Sequence, residues 1–423
     1  MKFENSLSFA KGLDKKDPLR KFKSEFHFPV INGQTSLYLC GNSLGLQPKD
    51  VKKFIAEELS DWASLGVEGH FHAKRPWLYY HKFGKKALAS ILGAKPSEVV
   101  AMNHLTVNLH LMMTSFYRPT QERFKIITEA GAFSSDQYAF ESQIKLHRLD
   151  PNDALIELSP REGEYSLRTE DILDAINEHA SQLALVIFGG VQYYSGQLFD
   201  IKKITSAAHK AGAYAGFDLA HAAGNVPVDL HKNEVDFAVW CGYKYLNSGP
   251  GSVAGAFVHE RHAKNTNLPR LAGWWGHEEK DRFQMKKGFI PMSGIDGWQL
   301  SNFPVLSGAA HLASLALFEK AGMKTLRGKS ILLTGFLDFL LRDIVLYHDH
   351  FNIITPEDPA QRGCQLSMLM KQNGRKVFNK ITKAGVIADW REPDVIRVAP
   401  VPMYNSFEEV YRFVEIFRKA LLV

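Results

Sequence analysis

The sequence predicts an α/β fold: a large, mostly parallel sheet with helices on both faces, followed by a smaller α+β unit. Two observations carry this. From Phe83 to Gly255, short apolar runs alternate with segments whose apolar positions recur at helical spacing. Strand–helix alternation of that length requires crossover helices and parallel neighbours. After about residue 310 the alternation gives way to paired helices and widely separated strands. At 423 residues the chain also exceeds what one small core organises. The expected division is an N-terminal arm (1–48) packing with the smaller unit, a large unit (49–308) and a C-terminal unit (309–423).

Residues 1–48 read as a mixed arm ending in the turn-rich CGNSLGLQP. Asp50 then precedes a helix whose apolar positions Val51, Phe54, Ile55, Leu59 and Trp62 share one face. A loop bearing Gly and His, EGHFHAKRPW, follows. Strands are expected at Val99–Met102, Phe124–Thr128, Ala184–Phe188, Tyr214–Phe217, Val235–Val239 and Val253–Val258. Between them, helices are expected at Val107–Phe116, Ser135–Lys145, Thr169–His179 and Ile201–Ala211. The last unit reads as helices at Ala309–Ala321, Met323–Leu346, Arg375–Lys383 and Phe407–Leu421, with strands near Gln365–Leu369 and Val395–Val398.

Composition excludes several classes of function. With 45% hydrophobic and 23% charged residues the chain has the balance of a soluble globular protein. The net charge of +6 is spread in pairs such as Lys15–Lys16 and Lys52–Lys53, so no nucleic-acid arm is expected. No apolar run is long enough to span a membrane, and the N-terminus lacks a secretory apolar stretch. Cys40, Cys241 and Cys364 are too scattered for a disulfide framework or a metal motif, which points to the cytoplasm. His70-x-His72 and His348-Asp349-His350 lack further ligands at suitable spacing, so no metal is expected. GPGSVAG follows no strand and opens no helix, so it is not a dinucleotide fingerprint.

Four expected strand ends carry groups suited to one chemistry. In VDFAVWCGYKYLNSGPG a buried-strand pattern runs into Tyr243 and Lys244. Burial disfavours a lysine's charged form and makes its amine a nucleophile for carbonyls. A lysine simply emerging into solvent is the plain alternative. In AGAYAGFDLAHAAGN, Asp218 ends a small-residue strand and His221 follows. Such a carboxylate can pair with the ring nitrogen of pyridoxal phosphate (PLP), although an N-cap is the common fate of Asp. MNHLTVNLHL puts Leu105 and Thr106 at a helix start, where free N–H groups receive phosphate. EAGAFSSDQYA puts Phe133 and Asp136 after another strand, and a flat ring would lie between Phe133 and a small residue such as Ala220. Each signal is weak alone. In an open α/β sheet, however, all four meet at the carboxyl-end crevice. Arg397, in DVIRVAP of the second unit, offers the fork that a substrate carboxylate needs, or is a surface strand residue. Trp274 and Trp275 read either as core aromatics or, from their Gly-rich flanks, as a binding loop.

These motifs, together with CGNSLGLQP, RPW, FDLAHAAGNVP, GWWGH, LSNFP and IRVAPVPMYNSF, run through most of the chain. With them the sequence resembles the kynureninase family, within the class V aminotransferase-like PLP enzymes. The resemblance implies the aspartate-aminotransferase-like fold with a seven-stranded sheet and a homodimer with active sites at the subunit interface. It implies hydrolysis of the Cβ–Cγ bond of L-kynurenine, or 3-hydroxykynurenine, to the anthranilate and L-alanine, in tryptophan catabolism. By it, Lys244 carries PLP as a Schiff base and serves as the base, and Asp218 pairs with the pyridine nitrogen. Leu105, Thr106, Tyr243, Trp274 and Asn302 contact the phosphate, the last two from the partner. Phe133 stacks on the ring with Asp136 and His221 close by. His70, Ser301 and Asn302 face the substrate's aromatic end, and Arg397 its α-carboxylate. Gly189 stands where some relatives carry a hydroxyl residue near the cofactor. Tyr243, beside Lys244, is the candidate acid for Cβ. The alternatives are another class V enzyme such as a cysteine desulfurase, with Cys364 as its candidate nucleophile, or a non-catalytic PLP-binding protein.

Overall fold

The computed structural model describes residues 2–422 except 266, 345 and 346. Its centre is a seven-stranded sheet in the order 99–101, 255–258, 237–240, 214–218, 183–189, 125–129, 155–158. Only Gly255–Val258 runs antiparallel to its neighbours. The apolar strands explain the burial. In Leu183–Gly189, Leu185 and Ile187 belong to one apolar cluster while Val186 and Phe188 belong to another. Alternate side chains point to opposite faces of a strand, so the sheet separates two cores, each covered by helices.

The six strands expected from the residues are all present, shifted by one or two positions at their ends. The seventh, Leu155–Leu158, escaped the pattern reading because it is a short edge strand whose Glu157 faces solvent. The N-terminal arm holds more order than its mixed pattern suggested. Helix Leu7–Lys16 is capped by the Ser6 side chain, and its Ala10 and Leu13 join the core of the smaller unit. Leu37–Tyr38 pairs in parallel with Val386–Ile387.

The helix expected from Ala309 begins at Val305. Its Ala309, Leu315 and Phe318 pack in the large core. Helix Met323–Arg342 bridges the cores, giving Leu326 to the first and Leu333, Phe336 and Leu337 to the second. Val345 and Leu346, expected to end it, lie outside the described residues. The smaller unit carries a four-stranded antiparallel sheet in the order 351–353, 366–370, 395–398, 389–391. Its two outer strands were missed because each is three residues long. Among the described residues no helix is long and apolar enough to cross a membrane.

Candidate active site

The strands 237–240, 214–218, 183–189 and 125–129 are neighbours, and their carboxyl ends open onto one cavity of about 160 Å³. Lys244 and Tyr243 line it from the turn after the first of these strands. That turn is held by backbone bonds from Asn247 to Lys244 and from Ser248 to Gly242. The arm braces it: Gly45 N–H donates to the Tyr243 carbonyl at 2.8 Å. A side chain at Gly45 would meet the Lys244 carbonyl at 2.3 Å, which explains the glycine in CGNSLG. The Lys244 amine lies 3.1 Å from His221 Nε2 and 5.7 Å from the centre of the Phe133 ring.

His221 is buried, and burial together with the Lys244 charge pushes its pKa well below the usual range. It is therefore a neutral acceptor, with Nδ1 unpartnered. Burial raises the Tyr243 phenol to about 12. Asp218 ends its strand buried, with Oδ1 accepting the Ala220 N–H at 2.6 Å. Burial raises the Asp218 pKa. Burial and the Asp218 charge raise Asp136 further, and Asp136 Oδ1 has no partner. Two buried carboxyls with one unsatisfied oxygen suit a cationic ring nitrogen.

At the far wall, helix Leu105–Phe116 points its N-terminus into the cavity, with no side-chain cap from His104. The start is fixed by Asn108, whose amide donates to the Met102 carbonyl and whose oxygen accepts from Asn103. Thr106 Oγ1 lies 2.8 Å from Ser135 Oγ. Uncapped N–H groups beside two hydroxyls form an anion cradle.

Ten residues singled out in the sequence thus share the cavity: Leu105, Thr106, Phe133, Asp136, Gly189, Asp218, Ala220, His221, Tyr243 and Lys244. His70, Trp274, Ser301, Asn302 and Arg397 do not line it. His70 sits in a short helix, with Nδ1 3.0 Å from the Val67 carbonyl. Ser301 and Asn302 are exposed. The tryptophan pair divides: Trp275 is core, while Trp274 is 40% exposed, its indole donating to the Arg282 carbonyl. Arg397 is buried one layer away, its guanidinium 5.9 Å from the ring of Tyr193, which does line the cavity.

Sequence reasoning passed over Glu129 and Tyr193. Glu129 is buried at the end of its strand, and its oxygens accept the Gly189 N–H at 3.2 Å. Burial raises it to about 7. A side chain at Gly189 would lie close to the end of Glu129, its Cβ 3.0 Å from Oε1. A carboxyl ending an apolar strand beside three other strand ends was the available signal. Cys364, by contrast, is fully buried, and burial raises its thiol to about 12, so it is no exposed nucleophile.

Among the described residues, Glu98, His231 and His259 bring ligand-type atoms within 4.8 Å of one another at the opposite end of the sheet. There Glu98 Oε1 is occupied by His231 and by the Glu260 N–H, both at 2.9 Å. The two imidazoles stack 8° from parallel, so their in-plane lone pairs run side by side instead of converging.

Residues 37–273 match the aminotransferase class-V family, and residues 326–417 match the kynureninase C-terminal domain. The chain is 52% identical to the kynureninase of Flavobacterium psychrophilum, over the whole of both chains. It is 55% identical to that of Myxococcus xanthus, over 98% of this chain and 97% of the other. Among solved structures it resembles a cysteine desulfurase from Thermococcus onnurineus, with TM-score 0.75 and 17% identity over 91% of this chain and 94% of the other. A cysteine desulfurase from Escherichia coli gives 0.76 and 15%, over 96% and 98%. Identities that low speak for the shared fold alone, whereas the full-length matches at half identity are decisive: the chain belongs to the kynureninase family.

Proposed function

We propose that Lys244 holds PLP through its amine and that the surrounding strand ends divide the work of cleaving kynurenine. The protein is a PLP-dependent hydrolase that splits the Cβ–Cγ bond of L-kynurenine to give anthranilate and L-alanine. The observation that carries the assignment is the Lys244 amine at 3.1 Å from a neutral histidine, in a cavity that also contains a carboxyl pair and an uncapped helix start.

The residues present fit the cofactor. Leu105 N–H and Thr106 would hold the phosphate, Asp218 would pair with the ring nitrogen, and Phe133, 41% exposed at the cavity wall, offers a face for the ring. When bound, PLP supplies an electron sink for the charge left as bonds at the substrate's α- and β-carbons break. Asp218 keeps the ring nitrogen cationic, and Asp136 carries the proton of the carboxyl pair. The Lys244 amine, once displaced by the substrate's, takes the proton from Cα, and the neutral His221 at 3.1 Å accepts a hydrogen bond from it. Water adds to the substrate's γ-carbonyl carbon and leaves with the ring in the carboxylate of anthranilate, while Tyr243, a phenol at neutral pH because burial raises it to about 12, delivers a proton to the released Cβ. Arg397 receives the α-carboxylate.

His70, Trp274, Ser301 and Asn302 complete the site in a homodimer, Trp274 and Asn302 reaching the phosphate of the partner's cofactor. Their position outside the cavity, on exposed or half-exposed segments, supports that arrangement. The three unpaired thiols suit a reducing cytoplasm. The test is the appearance of anthranilate fluorescence from kynurenine with PLP present, and its loss in Lys244→Ala. Turnover of cysteine with no anthranilate would overturn the reading.

A further inference from the structure

Beside the cavity, three side chains converge on one carboxylate oxygen. Asp389 Oδ2 accepts hydrogen bonds from the Arg397 guanidinium, from Arg391 Nη2 at 3.2 Å and from the Ser43 hydroxyl. Asp389 and Arg397 face each other directly on paired antiparallel strands, so the sheet register itself brings them together. Arg397 is wholly buried. One of its terminal nitrogens donates to the Tyr193 carbonyl and the other to Asp389, while its Nε–H has no partner. The Nε–H is a buried donor without a partner, available to a ligand that reaches it.

Charge points the same way. A buried guanidinium is costly without a counter-charge, and Asp389 supplies one in the absence of substrate. Burial works against ionisation of Asp389, but Arg397, Ser43 and Arg391 outweigh it and hold its pKa below the usual range. Two guanidiniums around one carboxylate leave a single net positive charge, which one further carboxylate neutralises.

We propose that Asp389 is a positioning residue for substrate recognition: it fixes the Arg397 fork so that the free Nε edge meets the amino acid's carboxylate. Together with Arg391 it sets the subsite's charge for one carboxylate. The inference rests on the reading of Arg397 as the carboxylate's partner, and the experiment separates the two. Holoenzyme carrying Asp389→Ala or Asp389→Asn is assayed with kynurenine, with L-alanine as inhibitor, and with the decarboxylated analogue of kynurenine, which keeps the amine and the ring.

Hydrogen bonds to charged groups are each worth a factor of about ten or more. In Asp389→Ala, the KM for kynurenine and the inhibition constant of L-alanine therefore rise about tenfold or more, with kcat within about threefold of wild type. Asp389→Asn, which keeps an acceptor oxygen, shows a smaller rise. The decarboxylated analogue binds all variants equally. Equal weakening of all three ligands, or unchanged L-alanine inhibition, overturns the proposal. Arg397→Gln is the control. If it weakens L-alanine while Asp389→Ala does not, positioning by Asp389 is wrong and the role of Arg397 stands. If it leaves L-alanine unaffected, the reading of Arg397 fails as well. Should Asp389→Ala not fold, Asp389→Asn and Ser43→Ala carry the same comparison.

Discussion

Replacing Glu129 by Gln tests whether the cavity holds this carboxyl in its neutral form. Its ordinary value of 4.5 is raised to about 7, chiefly by burial, against the lowering effect of hydrogen bonds including the Gly189 N–H. Each tenfold change in proton affinity is worth about 1.4 kcal/mol, so ionising Glu129 inside the fold costs about 3 kcal/mol. The folded value lies above the unfolded one. Below the unfolded value, 4.5, nothing is lost. Between 4.5 and about 7 the unfolded chain ionises while the fold does not, and stability falls by about 1.4 kcal/mol per pH unit. Above about 7 the loss levels off. Gln keeps the acceptor for Gly189 and carries no such dependence. The stability advantage of Glu129→Gln over wild type should therefore grow by about 2 kcal/mol from about pH 5.5 to about pH 8. Urea midpoints of the two holoenzymes, with equal excess PLP at each pH, measure it. A difference that stays flat across that range would refute the assignment of a neutral, buried Glu129.

Further outcomes follow from the same geometry. Lys244→Ala should lose both the visible absorbance of bound PLP and turnover, by at least about a thousandfold, with the far-ultraviolet circular dichroism unchanged. Tyr243→Phe should lower kcat by about a hundredfold or more with little change in KM, the size expected of a lost general acid; full turnover would remove Tyr243 from the mechanism. Mixing inactive Lys244→Ala with inactive Trp274→Ala should restore about a quarter of the wild-type sites, because a mixed dimer rebuilds one complete site of its two. No recovery after subunit exchange would mean that Trp274 serves its own chain's cavity or none.

What the sequence made legible divides along physical lines. Strand–helix alternation is a local signal, so the large sheet and the positions of Lys244, Asp218, Thr106 and Phe133 could be read from strand ends alone. Edge strands are short and half-solvated, so Leu155–Leu158, Phe351–Ile353 and Asp389–Arg391 left little period to detect. Helix Leu7–Lys16 lay hidden because only Ala10 and Leu13 of it are buried, and their reason for burial, the last helix of the chain, is about four hundred residues away. Glu129 was passed over for a different reason. Its importance lies in what burial does to a carboxyl, and burial on both faces of a sheet is a property of the assembled layers. Asp389 was not singled out, for a similar reason: only strand register sets it across from Arg397.

Two exposed side chains near the cavity bear on the proposed second copy. Val107, beside Thr106, is 43% exposed, and Tyr138, on the helix that carries Ser135 and Asp136, is 67% exposed. Both are apolar surfaces next to residues that line the cavity, on helices that deliver polar groups into it. The cavity's ring-facing wall, Phe133, is itself 41% exposed. Trp274 and Asn302, proposed above to reach a cofactor phosphate, stay outside their own chain's cavity. In the twofold pairing proposed above, each copy would offer the other's cavity the loop that stays outside its own.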